Sequence, residues 1–174
     1  AGIEPLPTMA DDGLAERNIR ELPQHLVTSI DPATRTAQLA SGETLGYDLF
    51  IGIPVHRAPS VCAGTELVED DWVPVDQSNL RTRFPGVYAL GDVSSGPRTV
   101  PKAGIFAEAA AAVVAEDIAA TISGGASPAP YEASGVCYAE FGGGLVSKVE
   151  VSFLRGDSPE ARRSTPAAEH GADK

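Results

Sequence analysis

Five places in this 174-residue chain hold residues whose types could do chemistry. In Val87-Tyr88-Ala89-Leu90-Gly91-Asp92 an apolar run ends in a glycine and a carboxylate. Ligands of open α/β sheets gather at the carboxyl ends of strands, so an aspartate held there by a backbone-permissive glycine can accept a hydrogen bond from a ribose or ribityl hydroxyl. An ionised carboxylate only accepts, so it fixes a hydroxyl without competing for its proton. Taken alone, the dipeptide reads better as an ordinary turn or helix cap, because Gly-Asp is common. Lys102 falls where a helix is expected to begin, an end at which a cation is unfavourable unless something anionic lies near. Cys62 and Cys137 are far apart, with no His or Cys at ligand spacing, so no metal site is expected. A buried small hydrophobe is the ordinary reading of Cys62; for Cys137 that reading and a chemical one stand level. His56 sits in a loop, and nothing local orients it as a base.

These residues need elements to position them. Residues 1–25 read as a proline-bearing loop and a short helix from Asp11 to Glu21, with Asp11 or Asp12 as cap. Leu26–Ile30 and Thr36–Ala40 form an expected hairpin, and the almost wholly apolar Tyr47–Ile53 reads as a strand buried on both faces. Residues 55–70 read as a crossover with a helical turn near Gly64–Glu69. Trp72–Asp76 and Val87–Leu90 follow as short strands. The best helix spans Pro101 to Ile122 and stops at Ser123-Gly124-Gly125, with Ala107, Ala111, Val114, Ile118 and Ile122 as its apolar stripe. Gly135–Phe141 and Leu145–Phe153 make a second hairpin around Gly142-Gly143-Gly144, and the residues from Arg155 onward read as a disordered tail.

The formal charge of −11 and pI near 4.6 disfavour a phosphate-backbone partner, since nucleic-acid binders concentrate Lys and Arg on one face and no such run occurs, so no nucleic-acid partner is expected. With 43% hydrophobic and 21% charged residues the chain lies in the folded range. The alanine-rich stretch 103–115 is broken by Glu108 and followed by Glu116 and Asp117, so no transmembrane span is expected. The opening Ala1-Gly2-Ile3 has no initiator Met or visible signal and reads as internal. Compartment stays open, with the cytoplasm or the membrane periphery expected.

The run Thr82-Arg83-Phe84-Pro85-Gly86-Val87-Tyr88-Ala89-Leu90-Gly91-Asp92-Val93 resembles the second FAD-binding motif of the pyridine nucleotide-disulfide oxidoreductase superfamily. The resemblance assigns Asp92 to the flavin ribitol and brings the Gly91 and Val93 backbone to the ribityl-phosphate. Val100-Pro101-Lys102-Ala103-Gly104-Ile105-Phe106-Ala107-Glu108 resembles the helix start of the sulfide:quinone oxidoreductase and flavocytochrome c sulfide dehydrogenase branch. A helix amino terminus suits negative charge on a reduced flavin, and Lys102 would add a full positive charge. The resemblance thus implies Pro101, Lys102, Ala103 and Gly104 as cofactor-binding residues. Ile51-Gly52-Ile53-Pro54-Val55-His56-Arg57-Ala58-Pro59 resembles the strand by which that branch re-enters its FAD domain. Gly135-Val136-Cys137-Tyr138-Ala139-Glu140-Phe141-Gly142 resembles its Cys-Tyr-x-Glu stretch, which implies Cys137 as a redox sulfur; the partner cysteine of those enzymes lies ahead of residue 1. A Cys62–Cys137 disulfide is neither supported nor excluded by spacing.

What this implies is an α/β piece of a two-dinucleotide-binding-domain, Rossmann-like flavoprotein, with a β-hairpin-containing carboxy-terminal segment. Residues 1–57 would end a second nucleotide-binding domain, 58–125 would close the FAD domain, 126–154 would begin a carboxy-terminal domain, and 155–174 would be tail. No Gly-x-Gly-x-x-Gly occurs, so the adenosine and pyrophosphate cradle is absent and the isolated piece is expected to be inactive. The parent enzyme would pass electrons from sulfide or a similar small donor through FAD to a quinone or cytochrome, with Lys102 and Cys137 as catalytic residues. Two alternatives stay open: a reductase using NAD(P)H, and a non-catalytic binding or dimerisation piece. A homodimer stays open as well.

Overall fold

The computed structural model describes residues 14–173, which divide into two compact units between His56 and Arg57. The helix expected from Asp11 lies partly outside the described residues; within them only a 3-10 turn, Ala15–Arg17, is present.

The first unit is a three-stranded antiparallel meander, β1 (Val27–Asp31), β2 (Thr36–Leu39) and β3 (Thr44–Gly46). Its hairpin is the expected one, with Ile30 opposite Ala37 and Asp31 opposite Thr36. The Asp31 carboxylate closes the turn by accepting from the Ala33 and Thr34 backbone N–H groups and the Thr34 hydroxyl. These bonds hold its pKa below the usual carboxylate value. Ala37 and Leu39 of β2 are buried. The third strand departs from expectation. Pairing is made by Thr44–Gly46, whereas residues 47–56 form no ladder, and Ile51 and Ile53 are each 87% exposed and Val55 83%. A strand buried on both faces needs ladder partners and a packed layer over each face, and among the described residues this run has no ladder partner and its side chains stand exposed.

The second unit gathers around one long helix. A short parallel pair joins β4 (Val73–Pro74) to β5 (Ser94–Ser95). Helix α1 follows (Gly104–Ser123), then the antiparallel sheet of β6 (Ser134–Gly142), β7 (Leu145–Ser152) and β8 (Glu160–Arg163). The β6–β7 hairpin is the expected one, turned by Gly142, Gly143 and Gly144, all at positive φ. Residues expected as tail are instead structured: β8 pairs with β7, and Ala167 bridges Val146. The charge-mixed segment is a sheet edge whose alternating exposure hid its strand character. The stretch expected as a helical turn, Gly64–Glu69, holds only non-helical turns. No division falls near residue 125. Phe106, Ala110 and Val114 of α1 share one core with Leu80, Tyr131, Ala133 and Phe153, and the Phe106 and Phe153 rings meet edge to face at 5.2 Å.

The fold is therefore a mixed helix-and-sheet one, consistent with an α/β piece. Among the described residues its parallel component is the single pair β4–β5, with no strand–helix–strand crossover.

Helix α1 differs from expectation in two ways. It begins three residues late, at Gly104, because Pro101, Lys102 and Ala103 stay out of the helix, Ala103 being extended (φ −149°). Its end at Gly124, left-handed with its N–H donated to the Ala120 carbonyl, is as expected. The buried face is Phe106, Ala110, Val114 and Asp117, while Ala111, Ile118 and Ile122 are exposed. Alanine and valine populate every side of this helix, so apolar spacing could not select the face. A charged residue does. Asp117, 2% exposed, accepts from Arg81 Nε at 2.7 Å and from the Tyr88 hydroxyl at 2.8 Å. Arg81 also donates to the Thr121 hydroxyl one helical turn on.

These two donors, the Arg81 bond foremost, hold the Asp117 pKa below 3.8. A carboxyl whose folded pKa is depressed contributes stability above its unfolded pKa and loses it as pH falls through the folded value. Asp117→Asn should therefore shallow the loss of melting temperature below about pH 4. It should not abolish that loss, since Asp76 and Glu132 are depressed as well. Phe106→Ala should lower urea stability by about 3–5 kcal/mol, the range for truncating a buried aromatic; a loss under about 1 kcal/mol would contradict this core.

Candidate functional site

Residues 80–95 build the site from a tight reversal. Thr82 N–H donates to Val87 O, Ala89 N–H to Leu80 O, and Val87 N–H closes the turn on Phe84 O. Arg81 and Tyr88 form an isolated antiparallel bridge, so Val87–Leu90, expected as a sheet strand, is one extended arm of a small loop. Leu90 is extended, with φ −142° and ψ 163°. At Gly91 φ swings to +71°, the left-handed region that glycine enters without cost. A Cβ there would also lie 3.2 Å from the Cβ of Ala107 on α1. Gly91, Asp92 and Val93 then make one 3-10 turn, closed when the Ser94 N–H and hydroxyl both donate to Gly91 O. Asp92 stands exposed on this turn with no hydrogen-bond partner among the described residues.

Helix α1 arrives beside that turn. Its amino end carries no side-chain cap, and the Gly104 and Ile105 N–H groups have no partner among the described residues. A Cβ on Gly104 would meet nothing within 4 Å beyond its chain neighbours and its own helix. Because Pro101–Ala103 are not helical, Lys102 turns back instead of projecting from the first turn. Its ammonium donates to Ser94 O at 2.6 Å and lies 4.0 Å from the centre of the Trp72 ring. Although the residue is exposed overall, this packing desolvates the ammonium and lowers its pKa; the Asp92 charge opposes that shift. Asp92, Lys102 and the open helix end therefore lie together, joined by Gly91–Ala107 packing and by Ser94.

Cys137 is elsewhere. It lies exposed on β6 opposite Val149, and neither thiol is in a disulfide. It lines neither the hollow beside Lys102 and Trp72 nor the one over Leu67 and Phe84. His56 is exposed in the irregular segment after β3. Among the described residues no group of His, Cys, Asp and Glu could hold a metal ion, and no helix is long and apolar enough to cross a membrane.

The residues that sequence spacing missed line a cavity of about 220 Å³ beside this site: Trp72, Gln77, Arg98, Leu80 and Phe106, together with Lys102. Gln77 clamps Arg98 by its backbone, donating from Nε2 to Arg98 O at 2.6 Å and accepting from Arg98 N–H at 3.0 Å. A Cβ on Gly96 would come within 2.2 Å of the Gln77 side chain, so only glycine lets that clamp close. A second hollow of about 330 Å³ lies over Leu67, Pro74, Thr82 and Phe84, crossed by the exposed Arg83–Glu69 ion pair. None of these partners sits at a spacing that sequence rules inspect: Gln77 and Arg98 are 21 residues apart and Arg81 and Asp117 36.

No protein-family model matches the chain, and no curated protein matches it in sequence. Solved structures do match in shape. The sulfide:quinone oxidoreductase from the hyperthermophilic bacterium Aquifex aeolicus superposes with a TM-score of 0.68 at 21% identity, covering 95% of this chain and 42% of that one. A chain of the Tetrahymena thermophila mitochondrial ATP synthase superposes with a TM-score of 0.65 at 18% identity, covering 83% of this chain and 36% of that one. This chain therefore spans well under half the length of either neighbour, and at such identities the likeness is one of fold alone.

Proposed function

We propose that this chain is the carboxy-terminal portion of an FAD-dependent oxidoreductase that passes electrons from sulfide or a similar small donor to a quinone or cytochrome. The observation that carries the reading is the meeting of an exposed, unpartnered carboxylate, a pinned ammonium and an uncapped helix amino end within residues 91–105. The residues fit the cofactor. Asp92 would accept from a ribityl hydroxyl, and the Gly104 and Ile105 N–H groups, without partners among the described residues, would face an anionic ring edge. FAD, when bound, supplies the electron carrier between donor and acceptor. The chain's own contribution is electrostatic: Lys102 and the Gly104 and Ile105 N–H groups favour negative charge where they converge. Pro101 and Ala103 keep Lys102 out of the helix and against Ser94. Cys137 would act, as the resemblance implies, as one half of a disulfide with a second cysteine of the parent polypeptide. Sulfide would attack that disulfide, the S–S bond break, a persulfide form on one sulfur and the other leave as thiolate, and the two electrons would pass to FAD.

Likeness in fold to a sulfide:quinone oxidoreductase supports the donor class without fixing it. The run Leu49–Val55 also fits a larger polypeptide, because apolar residues this exposed belong against another segment. One observation favours a second reading. Cys137 stands apart from the group around Lys102, as it would in an NAD(P)H-dependent reductase whose cysteine is only structural.

In the full-length parent polypeptide, Asp92→Ala should lose most bound flavin, read as the ratio of visible flavin absorbance to protein; an unchanged ratio would sink the cofactor assignment. Stopped-flow mixing of the oxidised enzyme with sulfide should bleach that absorbance while NADH leaves it intact. Bleaching by NADH alone would establish the reductase reading instead. Cys137→Ser should then slow the sulfide reaction by roughly a hundredfold or more, as loss of a covalent catalytic group does.

A further inference from the structure

We propose that Trp72 is a positioning residue that holds the Lys102 ammonium beside the start of α1, so that its charge acts on the reduced flavin; this role rests on the flavin assignment. A lysine ammonium rides on a flexible four-carbon stem and wanders unless something restrains it. Here two restraints converge. Lys102 Nζ lies 4.0 Å from the centre of the Trp72 ring and donates to Ser94 O at 2.6 Å.

Both restraints are carried by one small frame. Val73, 3% exposed, pairs with Ser94 in the parallel β4–β5 ladder, so Trp72 and Ser94 stand on neighbouring strands in fixed register. Trp72 exchanges backbone hydrogen bonds with Glu69 at 2.8 and 2.9 Å, which fixes the backbone that carries the ring. From Ser94 the chain returns to Lys102 through a loop that Gln77 grips at Arg98 by two hydrogen bonds. The lysine, its acceptor and the ring are therefore tied to one another through the backbone.

The kind of restraint decides what it is for. A bonded carboxylate would also hold a lysine, but it would cancel the charge and occupy the donors. The face of an indole attracts a cation through its quadrupole, carries no net charge, and is the strongest of the aromatic faces in this role. Ser94 O takes one of the three N–H donors, and the ring leaves the positive potential available to an anion. The uncapped helix end, whose Gly104 and Ile105 N–H groups have no partner among the described residues, adds to that potential. Holding Lys102 against the ring also keeps it from closing an ion pair with Asp92, which stays open for the ribityl hydroxyl.

Two measurements test this. In the chain itself, ring current should move the Lys102 ε-methylene proton signals upfield of those of the other two lysines, and Trp72→Leu should return them. In the full-length parent holoenzyme, Lys102→Met should lower the flavin midpoint potential. Trp72→Leu should lower it by about 15–30 mV, the two-electron equivalent of a roughly three- to tenfold weaker preference for reduced flavin. Trp72→Phe should keep most of the original potential, because a ring remains. Added to Lys102→Met, Trp72→Leu should lower the potential no further, since the ring acts through the lysine. Should Trp72→Leu not fold, Trp72→Phe takes its place, with a smaller fall that Lys102→Met likewise abolishes. Unshifted Lys102 signals, or a Trp72→Leu effect undiminished on the Lys102→Met background, would overturn the proposal. A lower potential in Lys102→Met with none in Trp72→Leu would overturn it too and leave the flavin assignment standing. An unaltered potential in Lys102→Met would end the Lys102 part of that assignment and this role with it, whatever the proton signals show.

Discussion

The Asp117 carboxylate holds the second unit together in a way that no apolar contact does. It lies inside a helix face that is otherwise Phe106, Ala110 and Val114, and it is kept ionised there by Arg81 and Tyr88. A buried charge without partners would be costly, so the helix can adopt this rotation only with the 80–89 reversal docked against it. Docking fixes Arg81 and Tyr88 together, on the two arms of that reversal. The second arm leads within two residues to Gly91, which is packed against Ala107 on the same helix. One ion pair thereby sets the distance between the aspartate-bearing turn and the helix amino end. Everything argued about ligands depends on that spacing.

Elements whose character is local could be read from sequence. The two hairpins follow from Asp31-Pro32 and from three consecutive glycines, and the helix stop follows from Gly124. The Gly-Asp turn was legible because its neighbours extend the pattern, whereas the dipeptide by itself favours a plain cap. What failed was decided at long range. An alanine-rich helix offers apolar side chains all round, so spacing alone chose Ala111, Ile118 and Ile122, while Asp117 turned the opposite positions inward. The helix start failed for a nearby reason. Proline in the first turn is only permitted, and here Lys102 gains more from Ser94 O and the Trp72 ring than from joining the helix. The tail was misjudged on composition, since β8 needs only one partner strand and little burial.

Tyr47–Ile53 shows the opposite failure. Its sequence is that of a central strand, and the local signal is sound; what is missing is a partner on either edge among the described residues. Hydrophobic pattern specifies which face or edge seeks burial, but pairing requires another backbone within reach. An apolar strand-forming run left open is an adhesive surface, and soluble proteins seldom leave one so. The mismatch between this run and its surroundings is therefore informative about context more than about the run.

A lysine just before a helix, as Lys102 is, is electrostatically out of place. The helix amino end and the ammonium repel and burial disfavours the charge further, while Asp92, the Ser94 carbonyl and the face of the Trp72 ring offset these terms. A protein that needed no anion there would be better served by a neutral side chain, or by an aspartate capping Gly104. Retaining the cation and leaving the helix end uncapped both raise the positive potential of one small region in a chain of net charge −11. Each feature alone has an ordinary structural account. Their concentration within a few residues of Gly104 costs stability in the same direction, and bound negative charge is the condition under which that cost is recovered.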